Sequence, residues 1–134
     1  MSCARAALGC VVTVLAASGC TAVAERGDAA AATAVRLLSA VAERDGAAAC
    51  GLLAPETAAE VEQSADRPCA EAILTEQLPA AGPVTATHVY GQRAQVRLSA
   101  DTVFLAVFPG GWRVVAAGCT PEGEKPYDCV IEGG

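Results

Sequence analysis

His88 is the only histidine among the 134 residues, and so the one side chain whose ordinary titration range would let it move protons near neutral pH. It falls in an alternating run, Val84 to Tyr90, where it shares strand parity with Val84, Ala86 and Tyr90. On a concave sheet face, a neighbouring Tyr90 or Asp101 would tune it as a general base. The hydroxyls of Thr85, Thr87 and Ser99 are close in sequence, yet no nucleophile-elbow pattern surrounds them. A lone strand histidine is more often structural than chemical, so no catalytic residue is assigned and His88 stands as the candidate.

The other chemistry resides in sulfur. Cys50, Cys69, Cys119 and Cys129 form an even set in the body of the chain, which in an oxidising compartment reads as two disulfides with three possible connectivities. Pairing Cys50 with Cys69 and Cys119 with Cys129 closes two short local loops and is the favoured arrangement. A four-thiolate metal site would need close pairs such as Cys-x2-Cys. None is present, and neither a metal nor a cofactor is expected.

The remaining cysteines, Cys3, Cys10 and Cys20, lie in the first twenty residues. There Arg5 precedes an uncharged run from Leu8 to Cys20, the layout of a secretory signal. Ser18-Gly19-Cys20 resembles the lipobox of bacterial lipoproteins, although Ala17 stands where Leu, Val or Ile is usual. The resemblance implies acylation of Cys20 and a domain division of 1–19 as signal peptide, 20–27 as lipidated tether and 28–134 as one domain. Two acyl chains would hold the protein on the outer, extracytoplasmic face of the cell membrane. The alternatives are secretion after cleavage at a site such as Ala22-Val23-Ala24, and an uncleaved anchor, for which the small alanines supply little hydrophobic weight.

Removal of residues 1–19 leaves 115 residues, enough for one core. The full chain has nine basic and fifteen acidic residues, a net charge of −6. Loss of Arg5 with the signal makes it −7. Such a surface argues against nucleic acid, whose phosphates require cations, and against headgroup attraction as the anchoring force.

Two halves differ in pattern. Asp28 is placed to cap a first helix with Ala31, Ala34, Val35, Leu37, Leu38 and Val41 inward, ending near Asp45-Gly46. Asp45 caps a second helix over Ala47 to Leu53, Pro55 starts a third, and Pro68 precedes a fourth over Cys69 to Leu78. After Pro79 to Pro83 the chain reads as strand: Val84 to Tyr90, Arg93 to Leu98, Thr102 to Phe108 and Trp112 to Ala117. Thr102 to Phe108 is almost wholly apolar and reads as a central strand covered on both faces. Residues 120–134 form a tail that the second bridge folds back beside the sheet. Trp112 and Tyr127 are placed to stack on a ligand or fill an interface, with Trp112 packing one rim of the sheet. Glu56, Glu60, Glu62 and Asp66 form a solvated helix face or a dock for a basic partner.

The stretches Ala40 to Cys50, Leu53-Ala54-Pro55, Arg93 to Leu98, Asp101 to Leu105 and Gly111-Trp112-Arg113-Val114 resemble the small NTF2-like lipoproteins of actinobacteria. The expected class is therefore α+β, with N-terminal helices packed on a curved antiparallel sheet of about four strands, an NTF2-like cone. No catalytic motif of those enzymes maps onto this chain. The leading expectation is a lipid-anchored, non-catalytic domain that binds a small apolar ligand or an envelope protein. The alternatives are a small isomerase or hydrolase using His88, and a structural envelope protein.

Overall fold

A computed structural model describes residues 18–133. The predicted signal segment, with Cys3, Arg5 and Cys10, lies almost wholly outside them. The order is α1 (Ser18–Ala42), α2 (Gly46–Gly51), α3 (Pro55–Ala65), α4 (Cys69–Ala72) with a 3-10 turn (Ile73–Thr75), then β1 (Val84–Tyr90), β2 (Arg93–Leu98), β3 (Thr102–Phe108), β4 (Gly111–Glu122) and β5 (Lys125–Glu132). The class is α+β, as expected, with five strands in place of about four.

α1 begins ten residues before the expected Asp28 cap, so residues 20–27 are helical and Asp28 is interior to the helix. Ala22, Ala24, Glu25 and Arg26 favour helix and no proline interrupts them. The segment is not merely a spacer. Arg26 donates to the Gly91 carbonyl and lies 5.6 Å from the centroid of the Trp112 ring, so the only tryptophan packs at a rim of the sheet against α1. Further along, Ala30, Ala34, Leu37 and Leu38 are almost fully buried, the one-sided spacing of an amphipathic helix. The small side chains of Ala30 and Ala34 let α1 lie close to the sheet, and Leu37 and Leu38 fill the core between them. The helix ends when Arg44 turns left-handed, φ 60°, and Asp45 N–H reaches back to the Ala40 carbonyl at 2.8 Å, a Schellman closure.

The Asp45 carboxylate accepts from Ala48 N–H at 3.0 Å and caps α2, and Pro55 occupies the first turn of α3. The fourth helical segment is shorter than its pattern, stopping at Thr75 because Glu76 turns to extended backbone and residues 76–83 run as irregular chain through Pro79 and Pro83. α2 likewise stops at Gly51, because residues 52–54 leave the helix to lie beside β4: Val114 N–H donates to Leu52 O, and Ala54 N–H to Val114 O. Cys50 and Cys69 are bridged, with Cα atoms 6.1 Å apart, joining α2 to α4. Cys119 and Cys129, directly opposite on β4 and β5, are bridged as well. The double variant Cys50→Ala/Cys69→Ala is expected to lose about 3 kcal/mol in chemical denaturation, the loop-closure contribution of a bridge spanning 19 residues. A loss below about 1 kcal/mol would show that packing alone holds the helical layer.

All five strands are antiparallel in the order β1-β2-β3-β4-β5. Alternation divides the sheet. Ala94, Val96, Leu98, Val103, Leu105 and Val114 join the α1 side chains in one filled core. Arg93, Gln95, Phe104, Ala106 and Phe108 belong to the opposite face, which α1 does not touch. β3 is central, as expected, but it is not fully covered on either face: Val103 and Leu105 are buried on the α1 side while Val107 is exposed, and Phe104, Ala106 and Phe108 opposite are only half-buried.

β5 escaped the sequence reading because Pro121, Gly123 and Pro126 look like a broken tail. In the fold Gly123 supplies the left-handed turn residue, φ 66°, of a hairpin joining β4 to β5. β4 runs on past Ala117 because Gly118, φ 67°, makes a left-handed step, and the buried Asp101 carboxylate accepts from Gly118 N–H at 3.1 Å and Cys119 N–H at 3.0 Å.

Candidate functional site

The distal part of the β4–β5 hairpin curls over the open face of the sheet. Gln95 Nε2 donates to the Tyr127 hydroxyl at 3.2 Å, and the Tyr127 ring meets Phe104 edge to face, centroids 5.1 Å apart. Beneath this arm is a cavity of about 440 Å³, with Phe104, Ala106 and Phe108 of β3 on one side and Pro126, Tyr127 and Cys129 of β5 on another. Ala54, Glu56 and Thr57 close it from the start of α3, and Val115, Ala116, Glu132 and Gly133 from the β4–β5 side. The volume lies in the range of small-molecule sites.

Local chemistry explains each wall. Pro55 starts α3, and the buried Thr57 hydroxyl donates to Val115 O at 3.0 Å, tying that first turn to β4. Gly133 N–H donates to the same carbonyl at 2.9 Å. A Cβ on Gly133 would stand 2.7 Å from Thr57 N, so the end of β5 comes this near α3 only because residue 133 is glycine. Phe104 and Phe108, four residues apart on one strand, place two rings along the floor. Three charged side chains stand at the margin: Arg93 from β2, and Glu56 and Glu132 from the far side. The guanidinium groups of Arg26 and Arg113 are committed to the Gly91 and Gly51 carbonyls.

The sequence candidates are dispersed. His88 is exposed on the edge strand β1, opposite Gln95, with its ring 6.3 Å from that of Tyr90. It does not line the cavity. Asp101 sits by the turn between β2 and β3, where Leu98 N–H donates to its carbonyl, and Val84 rather than His88 is the β1 residue opposite Leu98. The two are separated by roughly 13 Å of strand, so Asp101 does not tune His88. Burial pushes the Asp101 carboxyl above its usual range, against the opposing pull of the Gly118, Cys119 and Thr102 backbone hydrogen bonds. Thr85 Oγ1 donates to Arg97 O, and no acid-base pair forms around His88 among the described residues.

Of the aromatic candidates, Tyr127 belongs to the cavity and Trp112 does not. The acidic set divides. Glu62 accepts from Cys69 N–H at 3.1 Å, Asp66 turns left-handed to end α3, Glu56 lines the main cavity, and Glu60 lines a smaller acidic one of about 220 Å³ beside it. Phe104, Phe108, Arg93 and Glu132 were not singled out by sequence. A hint was present in Arg93 and Phe104, which alternate with core residues on adjacent strands. A separate groove of about 410 Å³ lies between α1 and α2, at Val35, Ser39 and Leu52. Among the described residues no group of His, Cys, Asp or Glu could hold a metal ion.

No protein-family model matches the chain, and no curated protein or solved structure is similar to it.

Proposed function

We propose that this chain is a lipid-anchored, extracytoplasmic binding domain that holds a small molecule with an apolar body in the cavity under the β4–β5 arm. The observation that carries the reading is the aromatic lining: Phe104 and Phe108 lie on the face that α1 leaves open, and Tyr127 of β5 meets Phe104 from the arm above. Large rings usually go to the core. Here the core is aliphatic, and both phenylalanines line the cavity instead.

The test uses the apolar fluorophore N-phenyl-1-naphthylamine. Saturable enhancement is expected with the wild type, and at least a tenfold loss of affinity in Ala106→Trp, which fills the floor without touching the α1 core. Unchanged far-UV circular dichroism and melting temperature would confirm that the variant folds. Equal binding by both proteins would overturn the reading.

The anchor is supported by Cys20, which is exposed, bridged to no other cysteine among the described residues and placed near the start of α1, where residues 19–25 are all exposed. No described helix is long and apolar enough to cross a membrane. In the native host Cys20→Ser is expected to move the protein from the membrane fraction to the soluble one; unchanged fractionation would contradict acylation. Helices preceding an antiparallel sheet support an NTF2-like origin, with the curled β4–β5 arm as the cone wall.

A further inference from the structure

We infer that the cavity selects a zwitterion whose two charges are separated by an apolar segment, a class represented by short apolar peptides with free termini. This rests on the binding role proposed above and adds the polarity of the ligand.

The charges around the cavity are sorted by side. Gly133 packs against Thr57, so their chain neighbours Glu132 and Glu56 stand at the same end. Both are exposed at the rim, where two carboxylates offer a cation more than one partner. Arg93 is on β2, opposite Ala106, whereas Glu132 is on β5, opposite Ala116, which in turn faces Phe104. From β2 to β5 is three interstrand steps, roughly 14 Å of backbone. Phe104, Ala106 and Ala116 fill that interval with apolar surface.

A purely apolar ligand would leave three charged groups partly desolvated and unpaired, which is costly. A cation alone would leave Arg93 unmatched, and an anion alone would meet two carboxylates. The arrangement fits a ligand with ammonium at the Glu56 and Glu132 end, carboxylate at Arg93, and apolar side chains over the rings. The backbone span of roughly 14 Å exceeds the charge separation on one carbon of an α-amino acid. The two termini of a di- or tripeptide are spaced to bridge it. A planar guanidinium also suits a terminal carboxylate, which it can engage by two parallel hydrogen bonds.

The experiment is displacement of N-phenyl-1-naphthylamine by trileucine, by its N-acetyl form and by its C-terminal amide. Free trileucine is expected to displace the fluorophore, and each blocked form to do so at least tenfold less well. The penalty for acetylation should vanish in Glu132→Gln and that for amidation in Arg93→Gln, both exposed positions whose replacement leaves the core intact. Blocked and free peptides displacing equally, or no displacement by trileucine from a protein that binds the fluorophore, would overturn the inference while leaving the cavity's binding role standing. Failure of the fluorophore itself to bind overturns both.

Discussion

Asp101→Ala is expected to lower unfolding free energy by about 2–6 kcal/mol, because it leaves Gly118 N–H and Cys119 N–H without the acceptors they have inside the fold. Each orphaned donor costs about 1–3 kcal/mol. The residue is 7 % exposed, so water cannot readily replace the carboxylate. The effect should propagate to the cavity, since these two amides fix the step in β4 from which the β5 arm departs. Denaturant unfolding measures the first effect and fluorophore affinity the second. A loss below about 1 kcal/mol would mean that the left-handed step at Gly118 holds itself.

The same group gives the fold a pH dependence of definite sign. Burial raises the Asp101 carboxyl above its unfolded value, so the folded state binds the proton more tightly than the unfolded chain. Its contribution is fully present below the unfolded value and is lost as pH rises through the folded one. The stability difference between wild type and Asp101→Asn should therefore shift against the wild type as pH increases from about 3 to 7 across the carboxylate range. A difference that stays constant, or moves in favour of the wild type, would contradict this assignment.

Gly46→Val is the second large effect. A Cβ at residue 46 would overlap the Ala70 carbonyl, a backbone atom of α4, so no side-chain rotation can relieve it. α2 and α4 would have to separate while the Cys50–Cys69 bridge holds them together. Overpacking of this kind costs about 1–3 kcal/mol when a neighbour can give, and more where the obstacle is backbone. The outcome expected is a loss of at least about 3 kcal/mol, with weaker docking of the helical layer read as a change in Trp112 fluorescence. Gly51→Val, at the open end of the same helix with nothing within 4 Å of a Cβ, should cost far less. Similar losses at both positions would show that helix propensity rather than interhelical contact sets the effect.

Three strands could be read residue for residue because alternation and short turns fix their limits: β1, β2 and β3 begin and end where the pattern places them. Both disulfides followed from local loop closure. The fifth strand did not, because Pro126 and Gly123 mask the alternation of Tyr127, Cys129 and Ile131. The site was legible only in pieces. Tyr127 drew attention as an aromatic residue in a polar tail, and Glu56 as a carboxylate at a helix start. Phe104 and Phe108 read as core because an apolar strand cannot reveal whether a second layer covers it. That depends on how far α1 spreads across the sheet and on the curl of β4, which a single buried carboxylate from a distant turn controls. His88 drew attention by chemistry alone and lies outside the cavity.

Residue-resolved NMR titration of the folded domain with N-phenyl-1-naphthylamine addresses the binding claim most directly. The account predicts saturable shifts concentrated at Phe104, Ala106, Tyr127 and Gly133, with Val35, Ser39 and Leu52 in the α1–α2 groove unmoved. Shifts centred on that groove, or on His88 and Tyr90 at the β1 edge, would contradict it.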